Sequence, residues 1–192
     1  RPMNTLAHFA LGYPVADLML GQFLGDHVKG PVLESPFPAV VQQGIRAHRR
    51  VGAAGDQHDF TRFAKSLLPS HQKRYAGVVL DVYSDYLLIL VWDQVMEEPL
   101  PSVLSDIHDL LRTPLLPLPP TAARTASALL NYRILESYAD ADNLPGMVGR
   151  IGARLRRPVS LSPLLFSLQR HEPELLDRFI DYYADMQQVA NP

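Results

Sequence analysis

The stretch VVLDVYSDYLLILVW, Val78 to Trp92, decides how this chain folds. On an α-helix, positions 78, 81, 85, 88 and 92 form one stripe, so Asp81 and Asp85 share a face with Val78, Leu88 and Trp92. Leu80, Val82, Leu87 and Ile89 make the remaining circumference mostly apolar as well, which predicts a buried helix. Two neighbouring carboxylates in such a setting repel each other and lose hydration, and the pKa of one or both rises unless a cation compensates. A divalent metal is the simplest compensation. The alternative is that each Asp bonds a nearby helix N-terminus or an arginine.

Outward from this stretch the apolar spacing stays helical, with no sustained alternation of the kind that marks strands. Helices are expected at about Asn4–Leu11, Val15–Val28, Pro38–Ala53, His58–Leu68, His71–Val95, Leu100–Arg112, Thr121–Ala139, Pro145–Arg156, Pro163–His171 and Pro173–Val189. Asn4 and Asp56 are of the type that caps helix starts, and Gly30-Pro31 and Pro69-Ser70 interrupt the pattern. LLRTPLLPLPPT cannot continue a helix, so the Pro114–Pro120 connector should separate an N-terminal half from a more peripheral C-terminal half. The expected fold is all-α, one multi-helix domain over residues 3–189. Met3 reads as the natural start, with Arg1 and Pro2 an added remnant.

At 47% hydrophobic and 20% charged, the chain has the composition of a globular protein and not of a disordered one. YLLILVW is too short for a membrane span and is flanked by Asp85 and Asp93. No signal peptide is apparent, and a cytoplasmic location is expected. With no cysteine, any metal must be held by His, Asp, Glu and water. A net charge of −2 conceals two basic segments. Gly44 to Arg74 carries Arg46, Arg49, Arg50, Arg62, Lys65, Lys73 and Arg74 against Asp56 and Asp59, and RIGARLRR spans Arg150 to Arg157 without an acid. Such segments suit phosphate or an acidic protein, or are simply solvated helix faces. Nucleic acid is disfavoured, because aromatic residues are not interleaved with the basic run as a stacking surface requires.

Three further fragments carry partners for the two aspartates. NTLAHF contains His8, GQFLGDHVKG contains Asp26, His27 and Lys29, and GIRAHRR contains His48 between arginines. Imidazole with carboxylate and no sulfur suits manganese, iron, zinc or magnesium. The His58-Asp59 pair lies beside a helix start and is expected at the surface.

In order, NTLAHF, GQFLGDHVKG, GIRAHRRVGAAGD and VVLDVYSDYLLILVW resemble the four motifs of bacterial acyl carrier protein phosphodiesterase, and weaker similarity continues through the second half. The resemblance implies an all-α fold distantly related to the HD-type metal-dependent phosphohydrolases. It implies a divalent cation, typically manganese, and hydrolysis of the phosphodiester joining 4′-phosphopantetheine to a serine of holo-acyl carrier protein. The matching positions are His8, Asp26, His48, Asp56, Asp81 and Asp85, with Lys29 and Arg49 as basic positions. On this basis Asp26, His48 and Asp81 are expected to bind the metal, and His8 and Asp85 to act as ligands or orient water. Arg49 is expected to stabilise charge in the transition state, and Lys29, Arg50 and Arg154 to bind substrate. Acyl carrier proteins are small and strongly acidic, so the two basic segments are candidate docking surfaces.

Several motif positions depart from the family pattern. Gly52 stands where an aspartate is usual, Gly55-Asp56 where Thr-Asp is usual, and Tyr86 where a histidine is usual, while Gln22 and His27 replace asparagine and phenylalanine. Gly52 and Tyr86 would remove about two donors from a metal site. Two alternatives therefore stand beside the phosphodiesterase: a homologue that binds acyl carrier protein without cleaving it, and an HD-like phosphohydrolase of a small phosphoester.

Overall fold

In a computed structural model of the chain, residues 5–32 and 36–191 are described. Asn4, Arg1 and Pro2 lie outside them. Twelve α-helices and no strand occur among the described residues, as the helical spacing requires. They are α1 (Thr5–Gly12), α2 (Ala16–Leu24), α3 (Ala39–Gln57), α4 (Asp59–Ser66), α5 (Ala76–Leu90), α6 (Trp92–Val95), α7 (Leu100–Arg112), α8 (Pro120–Asn131), α9 (Ile134–Ser137), α10 (Leu144–Arg154), α11 (Ser162–Gln169) and α12 (Glu172–Ala190). Short 3-10 turns at Ser70–Tyr75 and Ala141–Asn143 lead into α5 and α10. No helix among the described residues is long and apolar enough to cross a membrane.

The chain's 17 prolines coexist with this helix content because many stand where they cost little. α7, α8, α10, α11 and α12 each carry proline in the first turn, where the missing N–H would have had no intrahelical partner.

The apolar character of α1 and α5 makes them central. Every residue of α1 from Leu6 to Gly12 is buried, and α5 buries an unbroken run from Val79 to Asp85 apart from Asp81, continuing to Leu88. α1 packs against α2, α5 and α12; α3 lies across α2 and α12; α10 and α11 cover α5 from the other side. α12 is thus central and not peripheral as its place after the proline connector suggested. Its stripe of Leu175, Phe179, Tyr182, Tyr183 and Met186 is buried. Tyr182 stacks on Phe60 of α4 at 4.7 Å between ring centroids. Burial of each such side chain contributes about 1.5–3 kcal/mol relative to exposure.

Three boundaries differ from expectation for local reasons. Asp56 lies inside α3, and His58 caps α4 instead, its Nδ1 accepting the Phe60 N–H at 3.1 Å. The expected helix to Val95 is interrupted at Val91. There the chain turns, and Trp92 Nε1 donates to Glu98 O at 2.8 Å. The expected helix to Ala139 breaks at Arg133, whose φ of 46° is left-handed and ends the helical hydrogen-bond ladder.

Candidate active site

The site begins where α2 and α3 cross. Both helices present glycine at the crossing, and the backbones approach until side chains have no room: a Cβ on Gly44 would lie 2.6 Å from Leu18 O, and one on Gly21 would lie 2.7 Å from Gly44 Cα. One turn further along each helix, Gly25 faces the imidazole of His48, which a Cβ at position 25 would overlap. This packing fixes His48, which is fully buried, beside Asp26 just beyond the end of α2. His48 Nε2 and Asp26 Oδ1 are 3.4 Å apart, and the Asp26 side chain is 54% exposed, so the pair joins a buried base to solvent.

α1 contributes His8, 3% exposed, whose ring stacks on that of His48 at 3.9 Å between centroids and 27° between planes. His8 Nδ1 lies 2.9 Å from Oε1 of buried Gln22. In the tautomer that donates Nδ1–H to this oxygen, Nε2 keeps a lone pair. A cavity of about 240 Å³ opens in front of these groups, lined by Thr5, His8, Gln22, Phe23, Asp26, His27 and Thr125. Partial burial lowers the His27 pKa below the usual histidine range; the Asp26 charge opposes this and Lys29 adds to it. Burial thus favours the neutral imidazole of His27 at the cavity wall.

The two aspartates of α5 have different surroundings. Asp85 is fully buried, and its two oxygens accept the N–H groups of Leu6 and Ala7 at 3.0 Å each. It holds the first turn of α1, whose N–H groups have no intrahelical acceptor, and so sets the position of His8. Burial pushes its pKa up to about 7, and the two N–H bonds act in the opposite direction. Asp81 is partly buried; its charge and that of Asp56 both act on the phenol of Tyr182, which burial and these carboxylates raise well above the usual tyrosine range.

Of the expected ligands, Asp26 and His48 are brought together with His8 beside them. Among the described residues, no three His, Asp or Glu side chains converge on one point, so Asp81 does not complete a three-donor set with Asp26 and His48. Asp26 and His48 are donors of types that suit a divalent cation, and their 3.4 Å separation is one that two ligands of the same ion can have, but among the described residues no third His, Asp or Glu joins them.

The basic residues expected at the phosphate have backbone partners. Arg49 donates to Gly30 O at 2.9 Å and Val28 O at 3.0 Å, clamping the segment after α2. Arg50 donates to Val189 O and Ala190 O at the end of α12. Exposed Lys29 donates to Asp26 O at 3.3 Å, and Arg154 lies on α10, lining a different cavity. Tyr86 is turned toward Glu172 of α12. Burial, followed by the hydrogen bond its O–H donates to Glu172 and by that carboxylate's charge, pushes its phenol up to about 12. Gly52 is buried one turn beyond His48 on α3.

Gln22 as the partner of His8 was not foreseen. Nor was the glycine crossing, although its signal was present: Gly21 and Gly25 are four residues apart on α2, as are Gly44 and His48 on α3.

The family model described as acyl carrier protein phosphodiesterase matches residues 3–186. Proteins named acyl carrier protein phosphodiesterase from Yersinia pestis, Escherichia coli (strain 536) and Salmonella paratyphi A are 31%, 30% and 29% identical to the chain. Each alignment covers 98% of this chain and 97–98% of the relative. No solved structure matches. The His8, Asp26 and His48 cluster is thus embedded in a chain that belongs to the acyl carrier protein phosphodiesterase family, a family of phosphoric diester hydrolases.

Proposed function

We propose that the protein hydrolyses the phosphodiester between 4′-phosphopantetheine and the serine of holo-acyl carrier protein, giving apo-acyl carrier protein and free 4′-phosphopantetheine. The supporting observation is the Asp26–His48 pair, 3.4 Å apart, with the cavity of about 240 Å³ lined by Asp26 and His8. Asp26 and His48 would hold a divalent cation, for which manganese suits the oxygen and nitrogen donors. When bound, such an ion acidifies a water and withdraws charge from phosphoryl oxygens.

The chain's own groups have distinct tasks in this reading. Gln22 orients His8, and the stacked His48 ring keeps it from turning. His27, whose burial favours the neutral imidazole, accepts a proton at the cavity wall. Asp85 and Arg49 are positioning residues, the first through α1 and the second through the segment that follows Asp26. Asp81 contributes negative charge together with Asp56 on the α12 side.

A second reading, a homologue that binds acyl carrier protein without cleaving it, is favoured by Tyr86 bonding Glu172 and by the absence of a side chain at Gly52. Incubation with holo-acyl carrier protein and manganese, followed by chromatographic identification of released 4′-phosphopantetheine, separates the two. Release supports hydrolysis. Carrier protein that binds but remains intact supports the second reading.

A further inference from the structure

The two basic segments of the sequence are far apart along the chain, and the fold distributes their cations unevenly. Arg49 and Arg50 are turned onto backbone carbonyls, and Arg62 onto Asp59. Arg74, at the opposite end of that first segment, lines a cavity of about 340 Å³ together with Arg156 and Arg157 of the second. Its guanidinium lies over the Tyr75 ring at 4.7 Å, which fixes the end of a long side chain. On the preceding turns of α10, Arg150 and Arg154 line a second cavity of about 700 Å³ with Tyr132, which is 76% exposed. All five arginines are exposed, and among the described residues none forms an ion pair with a carboxylate. Asp142 is the acid among the residues lining these two cavities, in the larger one.

We infer that the surface around the C-terminal end of α10, formed by Arg74, Arg150, Arg154, Arg156 and Arg157, is the docking face for an acidic protein partner, and that it receives the carrier domain of the substrate. The inference rests on the reading above that the substrate is acyl carrier protein. Arg154 also complements the negative end of the α10 dipole, a role one cation fulfils. Three arginines from two segments lining one cavity, with Arg150, Arg154 and exposed Tyr132 lining another on the preceding turns of α10, exceed that need and match a partner face bearing several carboxylates. α10 packs directly on α5, the helix whose Asp85 holds α1 and His8, so the docking face and the site are linked through α5.

The test measures binding of apo-acyl carrier protein, which has no bond to cleave, by fluorescence anisotropy at low and high salt. The variant R74E/R156E/R157E is compared with R62E/K65E/R178E, which changes net charge equally on α4 and α12, and circular dichroism verifies the folding of both. The inference requires the first variant to bind about tenfold more weakly with a flatter salt dependence, and the second to stay within about twofold of the parent. Equal losses in both variants, unchanged binding in the first, or no binding by the parent protein would overturn it. Failure of the hydrolysis reading is recognised separately, as intact holo-acyl carrier protein after incubation with the parent protein.

Discussion

The carboxylate of Asp85 accepts the backbone N–H of Ala7 at 3.0 Å, one residue before His8. An aspartate that looked like a candidate ligand thus anchors the helix that carries a site histidine. Replacing it with alanine leaves two buried donors without an acceptor, at a cost of about 1–3 kcal/mol for each such group. Asp85→Ala should therefore lower the denaturant midpoint and also reduce turnover, because α1 loses the anchor that places His8.

The same residue makes stability depend on pH in a definite direction. The folded protein holds the Asp85 proton up to about pH 7, well above the ordinary carboxylate range from which the unfolded chain releases it. Between these values the folded state binds more protons, so this contribution is fully present at low pH and is lost as pH rises through about 7. Asp85→Asn lacks this titration. Urea denaturation at pH 5 and pH 8 should find the parent protein losing stability relative to the Asn variant on going to the higher pH.

Gly25 has ordinary helical dihedrals, so alanine there is unstrained, but its methyl group would overlap the His48 imidazole. Gly25→Ala is expected to cost about 1–3 kcal/mol as an overpacked contact and to separate His48 from Asp26. Manganese affinity by calorimetry should fall in this variant even at a temperature where circular dichroism finds it folded.

The departures at positions 52 and 86 should not be equivalent. Gly52→Asp adds a carboxylate one turn from His48, so manganese should raise the melting temperature of this variant more than that of the parent. Tyr86→His points toward Glu172 instead and should leave manganese affinity unchanged. A comparable gain from Tyr86→His would refute the orientation described for that side chain.

Arg49 offers a contrast between structural and electrostatic roles. Its two hydrogen bonds hold the Val28 and Gly30 carbonyls, a bidentate grip that lysine does not reproduce. Arg49→Lys should speed tryptic cleavage after Lys29 and reduce turnover together. Normal turnover with faster cleavage would separate the clamp from catalysis.

The helical fold was legible because apolar spacing persists from Leu6 to Met186, and the donor types were legible because the chain has no cysteine. The interior was less so. Arg133 breaks α8 from α9 without a glycine or proline to announce it, and α12 becomes central through its packing on α1, α3, α4 and α5, with Tyr182 stacked on Phe60. Spacing correctly placed Asp81 and Asp85 near one face of α5. It carried no information about their surroundings: Asp85 accepts the N–H groups at the start of α1, whereas the charge of Asp81 acts on the phenol of Tyr182.

If the Asp26–His48 pair is the catalytic centre, mass spectrometry of holo-acyl carrier protein after incubation with manganese and the parent protein, Asp26→Asn or His48→Gln will separate parent from variants. The carrier protein should lose its phosphopantetheinyl group with the parent and keep it with either folded variant. Loss at the parent rate with Asp26→Asn would contradict that assignment.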